Sequence, residues 1–282
     1  MLGVRELTSN KIILRSIANN DFTLPKDVDA FECALTLLSN LASTDEELRD
    51  ELSYMLLARG ILAKHLLNPE QLEKLLLTAL DENHLFYGIG DRETDTVFMR
   101  SFSNLIIAAI LYTDARNPTL SPDLIAEARE ALLRYARLEC DWRGYVSGKG
   151  WAHAMAHLAD ALDECAQHPT TTSADREKVL TLLSDLVKIT DPLYHEEDVR
   201  LATVAYHIIL GKQVSENFLV RWLDSCFVER NAIVTTWIAA TNARNFLRSL
   251  YFLILWDGIA ISLADHISDL LRRQDAVYID QD

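Results

Sequence analysis

The stretch RGYVSGKGWAHAMAHLAD (143–160) carries two cations, a tryptophan, two histidines and an acid within eighteen residues. Projected on a helix over 152–166 at about 100° per residue, His153, His157, Asp160 and Glu164 share one edge about 60° wide. Histidines at i and i+4 can ligate one metal such as zinc, or serve as general bases, with the acids orienting the imidazoles. At about 1.5 Å rise per residue, Asp160 lies about 10 Å from His153, too far for both to reach one ion, so a metal needs a further ligand from another helix. The plainer alternative pairs the histidines with Asp160 and Glu164 and needs no ion. An HxxxH spacing without the glutamate of HExxH is common by chance, so no cofactor is expected, with a divalent metal as the one candidate.

Before this helix, Arg143, Tyr145, Ser147, Gly148, Lys149, Gly150 and Trp151 combine positive charge, flexible backbone and aromatic surface. A cation at a helix amino end opposes the dipole, and a phosphate or carboxylate there relieves the conflict. These residues are candidate ligand contacts for an anionic small molecule or acidic peptide. The alternative is that Lys149 pairs with a surface acid and that the aromatic residues staple the helix to its neighbour. The loop is no nucleotide-binding P-loop: the glycine spacing is short and no Ser or Thr follows Lys149.

Two further clusters can converge on this loop. In YHEEDVRLA (194–202), His195 is a candidate ligand contact, and Glu196, Glu197 or Asp198 is a candidate catalytic carboxylate or metal ligand beside His153 or His157. Acids at a helix start also simply complement the dipole. In DENHLFYGIGDRETDTVFMRSFS (81–103), Gly88 and Gly90 read as a turn and Asp95 as a helix start. Arg100 sits between Met99 and Phe102 and needs a partner if buried; a salt bridge competes there with ligand contact. No nucleophile carries a motif, there being no G-x-S-x-G, and Cys140 reads as a buried thiol.

The elements that must position these residues are helices. Apolar residues recur at three and four positions, as in Leu48, Leu52, Met55, Leu56 and in Leu124, Ile125, Ala128, Leu132, and no alternating strand pattern appears. Thr44 with Glu47 reads as a capping box, and Ser121-Pro122 as a cap followed by proline at the first helical position. Stops fall at 88–95, 115–122, 143–150, 167–173 and 190–195, giving some nine or ten helices. The expected fold is all-α: an α/α helical-hairpin array, either a HEAT-like α-solenoid or a compact right-handed helical repeat. Residues 1–20 form a poorly defined segment and 21–282 a single domain, the alternative being a split near 115–120 or after 190. The most apolar stretch, 249–264, is interrupted by Asp257 and Gly258 and reads as buried helix rather than membrane span.

A formal charge of −15 repels nucleic acid and anionic membranes, so neither is expected as a partner. The four cysteines show no CxxC spacing and read as buried thiols, and the amino terminus lacks the apolar core of a signal peptide; a cytoplasmic location is expected. In ELRDEL, DENHLFYGIG, RGYVSGKGWAHAMAHLAD and HEEDVRLA the chain resembles domain of unknown function 2785, a bacterial family, over about residues 20–210. That resemblance implies an intracellular helical protein and carries no activity or cofactor with it. The residues themselves support a helical binding protein with a polar groove for an anionic ligand. The alternatives are a hydrolase-like enzyme using His153 or His157, and a protein-interaction scaffold with a homodimer or partner surface in 233–264.

Overall fold

The computed structural model describes residues 3–229 and 233–279, and helices account for nearly all of its regular structure. The all-α array expected from the helical spacing is the fold observed. The sequence predicts one domain over 21–282; by their contacts the residues fall into two compact units, Met1–Thr170 and Thr171–Asp282. The boundary lies in QHPTTTS and at neither of the alternative split points, for local reasons. Residues 117–120 are tied to the helix Thr96–Arg116 because Asp114 Oδ1 accepts from the Thr119 and Leu120 amides at 2.7 and 2.9 Å. Residues 189–193 are tied to the helix Val234–Asp257 because Asn242 donates to the Ile189 and Asp191 carbonyls and accepts from the Leu193 amide.

In the first unit, α1 (Val4–Ser9), α2 (Lys11–Asn19) and α3 (Ala30–Asn40) precede two π-helical segments, Glu47–Tyr54 and Leu56–Leu62. Helices α4 (Pro69–Ala79), α5 (Thr96–Arg116), α6 (Pro122–Leu138) and α7 (Ala154–Gln167) follow. The π segments bury residues in clusters, Leu52 with Ser53, Leu56 with Leu57, and Gly60 to Leu62. That step is wider than the expected 3.6-residue stripe, and it moves Leu48 out of the core. The cap also differs from expectation: Asp45, not Thr44, accepts from the Leu48 amide, while Glu47 pairs with Lys11 and Arg15 of α2.

Helix α5 is the centre of this unit. It is buried around nearly its whole circumference, polar Arg100, Ser101, Asn104 and Asp114 included, and packs against α7, α4, α6 and the second π segment. It is also the one described helix long and apolar enough to cross a membrane, and 83% of its most apolar window is buried in the protein. Each buried Leu, Ile or Phe along it contributes about 1.5–3 kcal/mol. Alanines 154, 156, 159 and 161 of α7, all buried, admit the close α5–α7 contact.

The second unit holds α8 (Ser173–Leu186), α9 (Glu197–Leu210), α10 (Glu216–Cys226), α11 (Val234–Asp257) and α12 (Ile261–Ile279). Helix α11 packs on α9 and α12, and α10 on α8 and α12. The apolar stretch 249–264 is not one buried helix. Helix α11 ends at Gly258 with φ of 63°, α12 begins at Ile261, and Phe252, Leu255 and Trp256 are exposed. Cys33, Cys165 and Cys226 are buried as expected, with burial pushing the Cys33 and Cys226 thiols up to about 12. Cys140 is exposed instead, because α6 stops at Leu138 and leaves it on an extended segment.

Candidate functional site

The stretch YVSGKGW forms an antiparallel hairpin, β1 (Tyr145–Val146) and β2 (Gly150–Trp151), pairing Tyr145 with Trp151 and Val146 with Gly150. The Lys149 amide donates to the Val146 carbonyl at 3.0 Å to close the turn, and Gly148 and Gly150 take φ of 75° and 80°. The sequence reading missed these strands because two residues each are too short to show alternation. The signal available was an aromatic residue on either side of a glycine-bearing three-residue loop.

The hairpin moves His153 off the helix. Its backbone is left-handed, φ 48°, and it stands at the N-cap of α7, so the single polar edge from His153 to Glu164 begins only at His157. The histidines still meet, because Trp151 turns back over His153. The rings form a series: Tyr145 to Trp151 at 5.2 Å, Trp151 stacked on His153 at 4.6 Å, and His153 to His157 at 5.8 Å. From there His157 meets Phe102 edge-on at 4.9 Å, and Phe102 meets Tyr54 at 6.1 Å. These separations are those of favourable aromatic pairs, and the series runs from exposed hairpin to buried core.

His157 is buried, and its Nδ1 lies 2.7 Å from Ser101 Oγ. The Ser101 hydroxyl also contacts the Ala152 carbonyl, which can only accept. With one proton to give, the hydroxyl donates to Ala152 and accepts from Nδ1–H of His157. An activated serine needs the opposite polarity, with the hydroxyl proton directed at the imidazole. The pair therefore braces the hairpin end against α5.

The cations of the loop are matched by neighbouring acids. Arg143 makes a forked pair with Asp141, Nε to Oδ1 at 2.7 Å and Nη2 to Oδ2 at 2.6 Å, and also donates to the Thr94 carbonyl. Lys149 Nζ lies 2.6 and 2.8 Å from the two oxygens of Asp95. Lys149 projects from the hairpin rather than the helix start, so the expected conflict with the dipole does not arise. Ser147 and Gly148 form the exposed tip beside it.

Arg100 is fully buried. It forks onto Glu139 at 2.7 and 3.0 Å and donates to the carbonyls of Tyr87 and Gly88 and to Thr96 Oγ1. With Nη2 also directed at the Asp91 carbonyl, no donor remains for a ligand. Arg100 is thus a structural residue that fastens the 87–91 turn, and its candidacy as a ligand contact is corrected. Glu139 also accepts from the amides of Cys140 and Asp141.

Sequence reasoning missed Arg49, the residue that fixes the hairpin from below. Fully buried, it donates to the carbonyls of Ser43, Lys149 and Trp151 at 2.8, 3.0 and 3.2 Å. Its guanidinium lies 4.2 Å from the Phe98 ring centre and 4.9 Å from that of Phe102. Asp50 Oδ1 lies 2.7 Å from Arg49 Nε, too misaligned for a directed hydrogen bond. Burial raises the Asp50 carboxyl to about 6 despite that cation. The available signal was spacing, since Arg49 stands three and seven residues before the core positions Leu52 and Leu56.

One turn beyond His157, α7 walls a cavity of about 320 Å³. Asp160, Asp163 and Glu164 form one side; Tyr54, Arg59, Leu105, Tyr112 and small side chains of α5 and the second π segment form the rest. The edge projected from the sequence thus opens on a concavity at Asp160 and Glu164, while Asp163 and both tyrosines were not anticipated.

The remaining predicted residues belong to the second unit. Glu196 is exposed and left-handed at the N-cap of α9, φ 66°. Glu197 is buried and accepts from the His195 amide at 2.6 Å, with His195 Nδ1 3.8 Å from its other oxygen. Asp198 accepts from Ser249 Oγ at 2.7 Å. Among the described residues, no three His, Cys, Asp or Glu side chains are grouped to hold one metal ion.

An all-α array that presents an aromatic hairpin and an acid-walled cavity along one helix is the class these features define. The chain belongs to the family described as "Protein of unknown function (DUF2785)", whose model matches residues 85–252. The match begins later and runs further than the resemblance drawn from the sequence: it spans α5 to most of α11 and leaves ELRDEL outside. No curated protein and no solved structure matches the chain.

Proposed function

We propose that the protein is a small-molecule binding protein whose ligand, an organic cation, occupies the cavity between α5, α7 and the second π segment. The carrying observation is the chemistry of that cavity. Tyr54, Tyr112 and aliphatic side chains share the lining with three carboxylates of α7 and with Arg59 as the one cation in it, and Arg116 from the end of α5 already lies over the Tyr112 ring. Carboxylates beside aromatic rings favour an ammonium or guanidinium group, a volume near 320 Å³ suits a small ligand, and a net charge of −15 draws cations from solution.

The anionic ligand first read from the loop is less favoured, because it must displace Asp95 from Lys149 and Asp141 from Arg143. The hydrolase reading is less favoured because the hydroxyl beside His157 is committed to the Ala152 carbonyl. Calorimetric titration with a series of alkylamines, diamines and guanidines, beside matched carboxylates and phosphates, separates these readings. Cations are expected to bind, and Asp160→Asn with Glu164→Gln is expected to weaken them more than tenfold. Binding of the anions alone, abolished by Lys149→Gln, sinks the cation assignment and moves the site to the hairpin.

A further inference from the structure

Helix α11 is amphipathic on two sides. Ala239, Ala240, Ala243, Phe246, Leu247, Leu250 and Ile254 face the core of the second unit. A second stripe faces solvent: Val234 (73% exposed) and Trp237 (46%) near the start, and Phe252 (45%), Leu255 and Trp256 (75%) near the end. Between them the stripe turns polar through Thr241, Asn245 and Arg248. The positions 234, 237, 241, 245, 248, 252, 255 are spaced by three or four residues, the spacing of a helix-pairing seam.

The seam is also symmetric. Val234 and Trp256 each stand eleven residues from Asn245, Trp237 stands eight before it and Phe252 seven after it. We propose that two copies of this chain dimerise through α11, packed antiparallel about a two-fold axis at Asn245. Val234 then meets Trp256 of the second copy, Trp237 meets Phe252, and the polar centre meets itself. A two-fold interface demands a surface that complements itself in this way.

The extent is that of a small interface. Helix α11 spans about 36 Å, and the partly exposed aromatic side chains at its ends can each bury on the order of 100 Å². Their flanks bring the face toward the roughly 800 Å² per partner of a stable interface. The patch is also preorganised, with Phe252 5.6 Å from Trp256 and 5.3 Å from Tyr251. A polar residue at mid-seam fixes the register, as single polar residues do in paired helices.

Sedimentation equilibrium of the full chain tests this. Wild type is expected at twice 32.0 kDa. Because two acidic copies repel, association is expected to tighten between 50 mM and 500 mM salt. Phe252→Glu with Trp256→Glu is expected to give a folded monomer, its far-ultraviolet spectrum unchanged. Asn245→Cys and Trp237→Cys, each in a Cys140→Ser background, read the geometry independently: an antiparallel pair centred on 245 brings the two sulfurs within disulfide reach at 245 and not at 237, whereas a parallel pair brings both together. Wild type that stays monomeric at 100 µM overturns the proposal, as does a dimer that survives the double charge or does not cross-link at 245.

Discussion

Asp50 shows how a single side chain ties the hairpin to pH. Its carboxyl is held near 6 rather than 3.8 because burial outweighs the attraction of Arg49. A carboxylate raised on folding is protonated in the native state over a range where the unfolded chain has ionised. Its contribution to stability is therefore present below about pH 4 and lost as pH rises through about 6. Asp50→Asn removes the ionising group and leaves Arg49 its three carbonyls and two rings. The variant is expected to be more stable than wild type at pH 7, by about 1–3 kcal/mol, with the advantage shrinking towards pH 4. Urea unfolding at both values checks this, and equal effects at the two would remove burial of the charge as its cause. Arg100 predicts the opposite sign. Arg100→Met strands the buried Glu139 carboxylate and frees the Tyr87 and Gly88 carbonyls, so a loss of about 3–5 kcal/mol is expected in the same assay.

The hairpin stands on Gly150, whose φ of 80° disfavours a side chain and whose added Cβ would lie 2.5 Å from the Glu46 side chain. Gly150→Ala is expected to cost about 2–4 kcal/mol, part from the left-handed backbone and part from overpacking. Pairing it with Glu46→Ala relieves only the steric share, so partial recovery of the midpoint is expected; no recovery would locate the whole cost in the backbone. The elements differ in how openly the sequence shows them. Ser121-Pro122 caps α6 as its chemistry indicates, with the Leu124 amide donating to Ser121 Oγ. The hairpin was hidden because its strands are too short to show alternation and its anchor is distant in the chain. Arg49 reaches Lys149 and Trp151 a hundred residues away, and no local periodicity encodes that contact. The site was legible in the same proportion. The Trp151–His153–His157 grouping follows from nearness in the chain, whereas Tyr54 and Tyr112 reach the cavity only through the packing of α5.

On the scale of the whole molecule, the division into Met1–Thr170 and Thr171–Asp282 predicts that each unit has its own stability. Four braces each lie within one unit: Arg100 with Glu139, Arg49 with the hairpin and His168 with Asp114 in the first, Asn242 with the 189–193 loop in the second. The consequence is that damage to a brace is expected to remain local. Hydrogen exchange on Arg100→Met, read by peptide mass, should show faster exchange through α5, α6 and the hairpin, spreading across 1–170 by subglobal opening. Peptides from α8 to α12 should keep their wild-type rates. Asn242→Ala should reverse the pattern, loosening 189–193 and α11 while α5 and α7 stay protected. Acceleration spread evenly over all 282 residues in both variants would instead mean that the units open as one cooperative block. Because the family match at 85–252 crosses the boundary, this measurement also tells whether the matched segment is one folding unit or parts of two.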